Sequence, residues 1–167
     1  LSIMSAEDFL HPDNIAHLTH RFQQHDYDVL IANVLTVDED GKEIGNYFSF
    51  LPDDRKASQA ILEYQINSAR QILVRKSFFE KIGDYNEDLR VHEDHEMLVR
   101  MVLRGKVAFC KSAIYYHRKI SDGLTSTQKT HQSDWKNAFN YVYHRHFCSE
   151  DFLKKTGWDG AIRAQEG

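Results

Sequence analysis

The chain has 167 residues, 41% of them hydrophobic, with 25 Asp and Glu against 21 Lys and Arg for a formal charge of −4. That is length enough for one ordinary domain with a core and too little for a second full one. The acidic balance, with no Lys/Arg run longer than two, excludes the dense positive face that nucleic acid requires, and no apolar run approaches the roughly 20 residues that cross a bilayer. The N-terminus lacks the basic flank and apolar stretch of a secretory signal. Cys110 and Cys148, the two cysteines, stand in no metal-ligand spacing; they read as inert packing residues of a reducing compartment. The chain opens at Leu1 without an initiator Met, in "LSIM", which reads as the end of a strand, so the expectation is a piece of something longer.

In chain order, "SAEDFLHPDN" reads as a polar loop, and Pro12-Asp13-Asn14 starts a helix with Ile15, Leu18 and Phe22 at helical spacing to about Gln24. "DVLIANVLTV" is β-branched and apolar, a buried strand; "DEDGKEIG" is a turn and "NYFSFL" a further extended piece. "KASQAILEYQI" predicts a short helix and "QILVR" a strand. Ser77 precedes Glu80 by three, the spacing of a capping box, with Gly83 at the helix stop. The next helix runs from Glu93 to Arg104 and is closed by Gly105; "VAFCKSAIYYHR" is a strand. Trp135, Phe139, Val142 and Tyr143 form one apolar stripe on a helix from Ser133 to about His146, a core or partner-facing helix rather than a sugar platform. The tail from Lys154 is expected to be loose. Alternating strands and helices indicate α/β.

Two acidic clusters stand out. In "VHEDHEMLVR", Asp94, Leu98 and Met101 fall at i, i+4 and i+7, which puts Asp94 on the inward stripe at the edge of the core. Glu96 and Arg100, at i and i+4, read as an exposed ion pair. Acids also gather at helix starts simply because the free N–H groups and the dipole favour anions. A zinc motif would need H-E-x-x-H, whereas His92 and His95 stand only three apart in H-E-D-H. The third reading makes Asp94 a general base or metal-site carboxylate at the C-terminal edge of a sheet. The second cluster, Glu7-Asp8, follows "LSIM" and precedes a helix, a place where hard cations and phosphates are held, although acidic turns are common in their own right.

The two clusters together carry a resemblance. "SAEDFLHPDN", "KIGDYNEDL", the Glu93-Asp94 pair opening a helix that contains Arg100, and "YYHRKISDGLTST" occur in the order found in family 2 glycosyltransferases of the GT-A fold, and the chain resembles the C-terminal half of that catalytic domain over residues 1–127. The resemblance implies a partial GT-A fold: a mixed sheet flanked by helices, followed over residues 128–167 by a C-terminal helical extension. It implies metal-dependent, inverting transfer of a sugar from a nucleotide-diphosphate sugar to an acceptor hydroxyl on a carbohydrate or lipid-linked molecule. Asp94, beside Glu93, would be the base; Glu7 and Asp8, in the loop matching the family's Asp-x-Asp at Ser5-Ala6-Glu7, would hold Mn or Mg; Arg118 and His117 would lie near the diphosphate. It further implies bacterial polysaccharide synthesis, a cytoplasmic site extending to the inner face of the membrane, and a first half of the fold, for base and ribose, lying upstream.

The departures are Ser5 and Glu7 in place of the two loop aspartates, and Ile120 where many relatives carry His. They motivate a rival, a non-catalytic domain of the same descent that binds glycan or a partner protein. A second rival is a metal-dependent hydrolase using His92 and His95. Thr125, Ser126 and Thr127 read as a solvated turn or as phosphate contacts.

Overall fold

A computed structural model of the chain describes residues 1–46, 61, 72–120 and 132–156. The expected strand in "NYFSFL", nearly all of the helix in "KASQAILEYQI", and the Thr125–Thr127 loop lie outside the described residues; Ile61 is helical and buried.

Six strands form one mixed sheet: β1 (Ser2–Ile3), β2 (Phe9–Leu10), β3 (Val29–Val37), β4 (Glu43–Asn46), β5 (Ile72–Val74) and β6 (Val107–Arg118), in the order β1-β5-β3-β6-β2, with β4 also paired to β3. Central β3 runs parallel to β6 and antiparallel to β5 and β4. Val29, Leu30, Ile31 and Ala32 are all buried, because a strand covered on both faces needs an unbroken apolar run. The expected strands at residues 28–37, 71–75 and 107–118 are therefore present.

One irregularity shapes the sheet. Ala32 pairs with Cys110 but Asn33 pairs with Ile114, so Lys111, Ser112 and Ala113 are extra residues on β6. Their backbone needs other partners. Helix α1 (Asn14–Gln24) meets the irregularity: His17 Nδ1 lies 2.6 Å from the Ser112 carbonyl, and the Asn14 amide donates at 2.8 Å to the carbonyl of Ile114, where pairing with β3 resumes. Asn14 and Leu18, one turn apart, thus face inward. Ile15, one position on, is rotated about 100° away and is 44% exposed, contrary to the expected stripe.

Helix α2 (Lys76–Ile82) ends at Gly83, as expected, with a positive φ of 84, but begins at Arg75 without any side-chain cap. Ser77 lies inside the helix, so the capping-box reading fails. Helix α3 (Glu93–Arg104) has the expected bounds and is closed by Gly105. Only Gly105 and Lys106 separate α3 from β6.

The C-terminal region forms α4 (Gln132–Val142), a π-helical turn (Tyr143–Phe147) and α5 (Glu150–Thr156). Residues 154–156 are therefore helical, not loose, and the rest of the tail expected to be loose lies outside the described residues. Lys155 donates to the Gly105 carbonyl at 3.2 Å, and Val142 and Phe152 belong to the same buried cluster as β3, α3 and β6. Burial of apolar surface, at roughly 25 cal/mol per Å², ties this segment to the sheet.

Gly105 is fixed by close approach. A Cβ there would stand 2.4 Å from Phe78 Cζ and 3.1 Å from Asp28 Oδ2, while the neighbouring Lys106 N–H must keep its 2.9 Å bond to that Asp28 oxygen. Gly105→Ala is expected to destabilise the chain by about 1–3 kcal/mol, read as a lower urea midpoint; an unchanged midpoint would show that Phe78 yields without cost.

Candidate active site

The acidic loop and the end of β6 meet. Phe9 and Leu10 are not loop but a short edge strand: they pair with Tyr116 and Tyr115, and the Phe9 and Tyr116 rings stack at 4.7 Å. A turn closed by the Asp8 N–H on the Ser5 carbonyl aims Asp8 back at β6. The Tyr115 hydroxyl donates to its Oδ2, the Arg118 backbone N–H donates to Oδ1 at 2.9 Å, and His117 Nδ1 lies 3.2 Å from Oδ1. Asp8 is buried while Glu7 is exposed. Three residues singled out from the sequence, Asp8, His117 and Arg118, thus converge across more than a hundred positions. The partner that sequence reasoning missed is Tyr115, whose alternation with Tyr116 in β6 is the one signal for its inward direction. The Arg118 guanidinium lies over the Phe9 ring, 5.4 Å from its centroid, and its buried Nε has no hydrogen-bond partner among the described residues.

The expected cation ligands are unequal. Among the described residues, no group of three or more His, Cys, Asp or Glu could hold a metal ion. Mg-type sites commonly use only one or two carboxylates and take the remaining oxygens from phosphates and water. Glu7 and Asp8 meet that minimum in number, but Asp8 is already bonded inside the protein and Glu7 alone stands open.

Glu93 and Asp94 form a separate group at the start of α3. Both are half-buried, as expected for the edge of the core, and Asp94 Oδ1 accepts the His95 N–H at 2.8 Å. Burial pushes Glu93 above the usual carboxylate range, and the adjacent Asp94 charge adds to this. Tyr85, held by burial and by the charges of Asp94 and Glu93, is pushed up to about 12. A negatively charged, partly desolvated patch of this kind suits proton acceptance.

His92 caps α3 with φ 61, the one non-glycine residue of positive φ among the described residues. That conformation costs a residue with a Cβ roughly 1–2 kcal/mol. Its ring packs edge-on against Trp135 of α4, centroids 4.2 Å apart. His95 is buried in the core, and burial, with the nearby His92, lowers its pKa to about 4. Both histidines thus make packing contacts, His92 with Trp135 and His95 within the core.

Glu96 corrects another expectation. It is not on an exposed face but 2% exposed, with Arg100 Nε at 2.8 Å and His146 Nε2 at 2.7 Å from Oε1. Burial alone would raise its pKa; the hydrogen bonds and charges of His146 and Arg100 outweigh this and lower it. Arg100 also donates to the Ile82, Gly83 and Asp84 carbonyls. A polar cleft of about 410 Å³ opens beside this network, lined by Glu96, Arg100, Arg104, Tyr141, Arg145 and His146 among others; Asp8 and Asp94 are not part of its wall.

The mixed sheet flanked by helices is a partial GT-A-like fold, the class to which its structural neighbours, glycosyltransferases, belong. These neighbours are structures of TarS from S. aureus. Against TarS 1-349 in complex with UDP-GlcNAc the TM-score is 0.64 at 15% identity, covering 97% of this chain and 44% of that one. Against the same protein in complex with UDP it is 0.60 at 13% identity, covering 98% and 44%, and against a longer TarS chain 0.57 at 15%, covering 86% and 24%. The chain thus spans less than half the length of the TarS chains it matches. Identities this low show the fold alone. No protein-family profile and no curated protein sequence matches the chain. No helix among the described residues is long and apolar enough to cross a membrane.

The titrating groups give a stability profile. The unfolded chain protonates His95 near 6.5, whereas the fold keeps it neutral to about 4, so protons favour unfolding throughout that interval. Stability is expected to be full above pH 6.5 and to decline towards pH 4, with a further loss below about 4.5 as Glu96, depressed in the fold from its ordinary 4.5, takes up its proton. In urea titrations across this range, His95→Leu should flatten the upper limb and leave the lower one; an unchanged upper limb would assign it to other groups.

Proposed function

We propose that the chain belongs to a glycosyltransferase that moves a sugar from a nucleotide-diphosphate donor to an acceptor hydroxyl with inversion, and that it contributes the diphosphate-facing and acceptor-facing part of the site. The observation that carries this reading is the convergence of Asp8, His117 and Arg118 where β2 meets the end of β6, the edge at which α/β sheets hold their ligands. Arg118, whose buried Nε has no hydrogen-bond partner among the described residues, is suited to a diphosphate oxygen. The TarS structures holding UDP-GlcNAc and UDP support the donor class.

In this mechanism Asp94 accepts the proton of the acceptor hydroxyl as its oxygen attacks the anomeric carbon from the face opposite the leaving diphosphate. Glu93 stands beside Asp94 in the first turn of α3 and faces the same acceptor side. Arg118 and His117 orient the diphosphate and stabilise charge as the glycosidic bond breaks. When bound, Mn or Mg would neutralise the leaving diphosphate, with Glu7 and the bonded Asp8 as the residues to hold it. The acceptor, carbohydrate or lipid-linked, and a cytoplasmic location belong to the same proposal.

Ser5 and the internal bonding of Asp8 favour a second reading, a domain that binds sugar nucleotide without turning it over. UDP release from UDP-GlcNAc by the full-length protein, with Mn and with EDTA, separates the two. Turnover is expected, reduced by EDTA, and Asp94→Asn should lower it by about 10²-fold or more with donor binding retained. Donor binding without turnover would select the second reading, and full activity of Asp94→Asn would remove the base assignment.

A further inference from the structure

We infer that the C-terminal segment, residues 132–156, is part of the catalytic unit, with Trp135 and His146 as positioning residues that set the first turn of α3 around Asp94. The inference rests on the transferase reading for the role of Asp94, and on geometry for the rest.

Three contacts join the two elements, and they bracket the acid pair. Before it, Arg90 Nη1 lies 4.0 Å from the Asp134 carboxylate. At the cap, His92 meets Trp135 edge-on at 4.2 Å. One turn into the helix, Glu96 bonds His146 at 2.7 Å. Glu93 and Asp94 sit between the second and third contacts, so the segment holds α3 on both sides of the proposed base.

The cap contact matters because His92 adopts a left-handed backbone that an L side chain rarely takes. Such a conformation persists only where its surroundings impose it. The His92 carbonyl accepts the Glu96 N–H at 2.9 Å, so the same residue that Trp135 packs against starts the helix. If His92 relaxes, φ and ψ change immediately before Glu93 and Asp94, and their carboxylates swing. The third contact fixes the other end of that turn. Its partner His146 is presented by the π-helical turn, whose extra residue per turn shifts the side chain off the regular helical path; such insertions recur at functional sites.

Trp135→Ala, Trp135→Phe and His146→Gln in the full-length protein test this, with amide hydrogen exchange and UDP release from UDP-GlcNAc measured on each. Trp135→Ala is expected to speed exchange at the Glu96 amide by about tenfold while the β3 amides keep their protection. It should lower kcat by about tenfold or more with the UDP-GlcNAc KM unchanged, and Trp135→Phe should restore most of both. His146→Gln, which keeps a hydrogen-bonding group, should give a smaller change in the same direction. Unchanged exchange at Glu96 would overturn the clamp, and faster exchange with unaltered kcat would overturn its service to Asp94. Should Asp94→Asn retain full activity, the base assignment falls on its own account, and the exchange data still decide whether Trp135 and His146 hold the turn.

Discussion

The carboxylate of Glu96 is the constraint on which most of the arrangement depends. It is buried, and a buried charge is tolerated only when paired and hydrogen-bonded. Arg100 from the same helix and His146 from the C-terminal segment meet that need. Arg100 then uses its remaining donors on the carbonyls at residues 82–84, so one ionic network fastens the end of α2, the length of α3 and the π-helical turn to each other. Removing the Glu96 carboxylate would leave Arg100 and His146 without their shared ionic partner, and breaking a buried pair in this way typically costs about 3–5 kcal/mol. The same pair at the surface would contribute a few tenths.

A second polar arrangement joins α1 and the loop before it to β6. Three extra residues interrupt β6, and His17 and Asn14 of α1 bond the carbonyls of Ser112, within the interruption, and Ile114, just after it. This seats the loop before α1 against the far end of β6, where Asp8 accepts hydrogen bonds from the Tyr115 hydroxyl and the Arg118 backbone. A sheet irregularity, a helix dock and a buried acid thus follow one another along β6. The cost is that Asp8 is less open to a cation than an unpaired loop acid would be, and the catalytic reading leans correspondingly on Arg118 and His117.

Much of this was legible beforehand. The apolar run of β3, the Gly105 stop of α3 and the extent of β6 follow from burial on two faces and from helix termination, both local in origin. The acidic loop, the Glu93-Asp94 pair and the basic end of β6 were identifiable as a series. Glu96 was misread because an i, i+4 acid–base pair looks the same in sequence whether water or another segment covers it. His146, fifty residues on, is what decides, and no local pattern announces it. Ile15 was misread for a related reason: helical spacing fixes which residues share a face, while the docking partner fixes which face is inward.

By itself, then, the sequence determined the secondary elements of the core, the α/β class and the chemical character of two acidic clusters, since backbone stereochemistry and hydrophobic periodicity act over a few residues. Tertiary structure alone decided which acids are spent on the fold and which stay accessible: Asp8 and Glu96 are enclosed by β6 and by the C-terminal helices, while Glu7 is exposed and Asp94 half-buried. The reason is that solvation and pairing of a carboxylate depend on neighbours brought from distant parts of the chain, and those neighbours exist only once the sheet has closed.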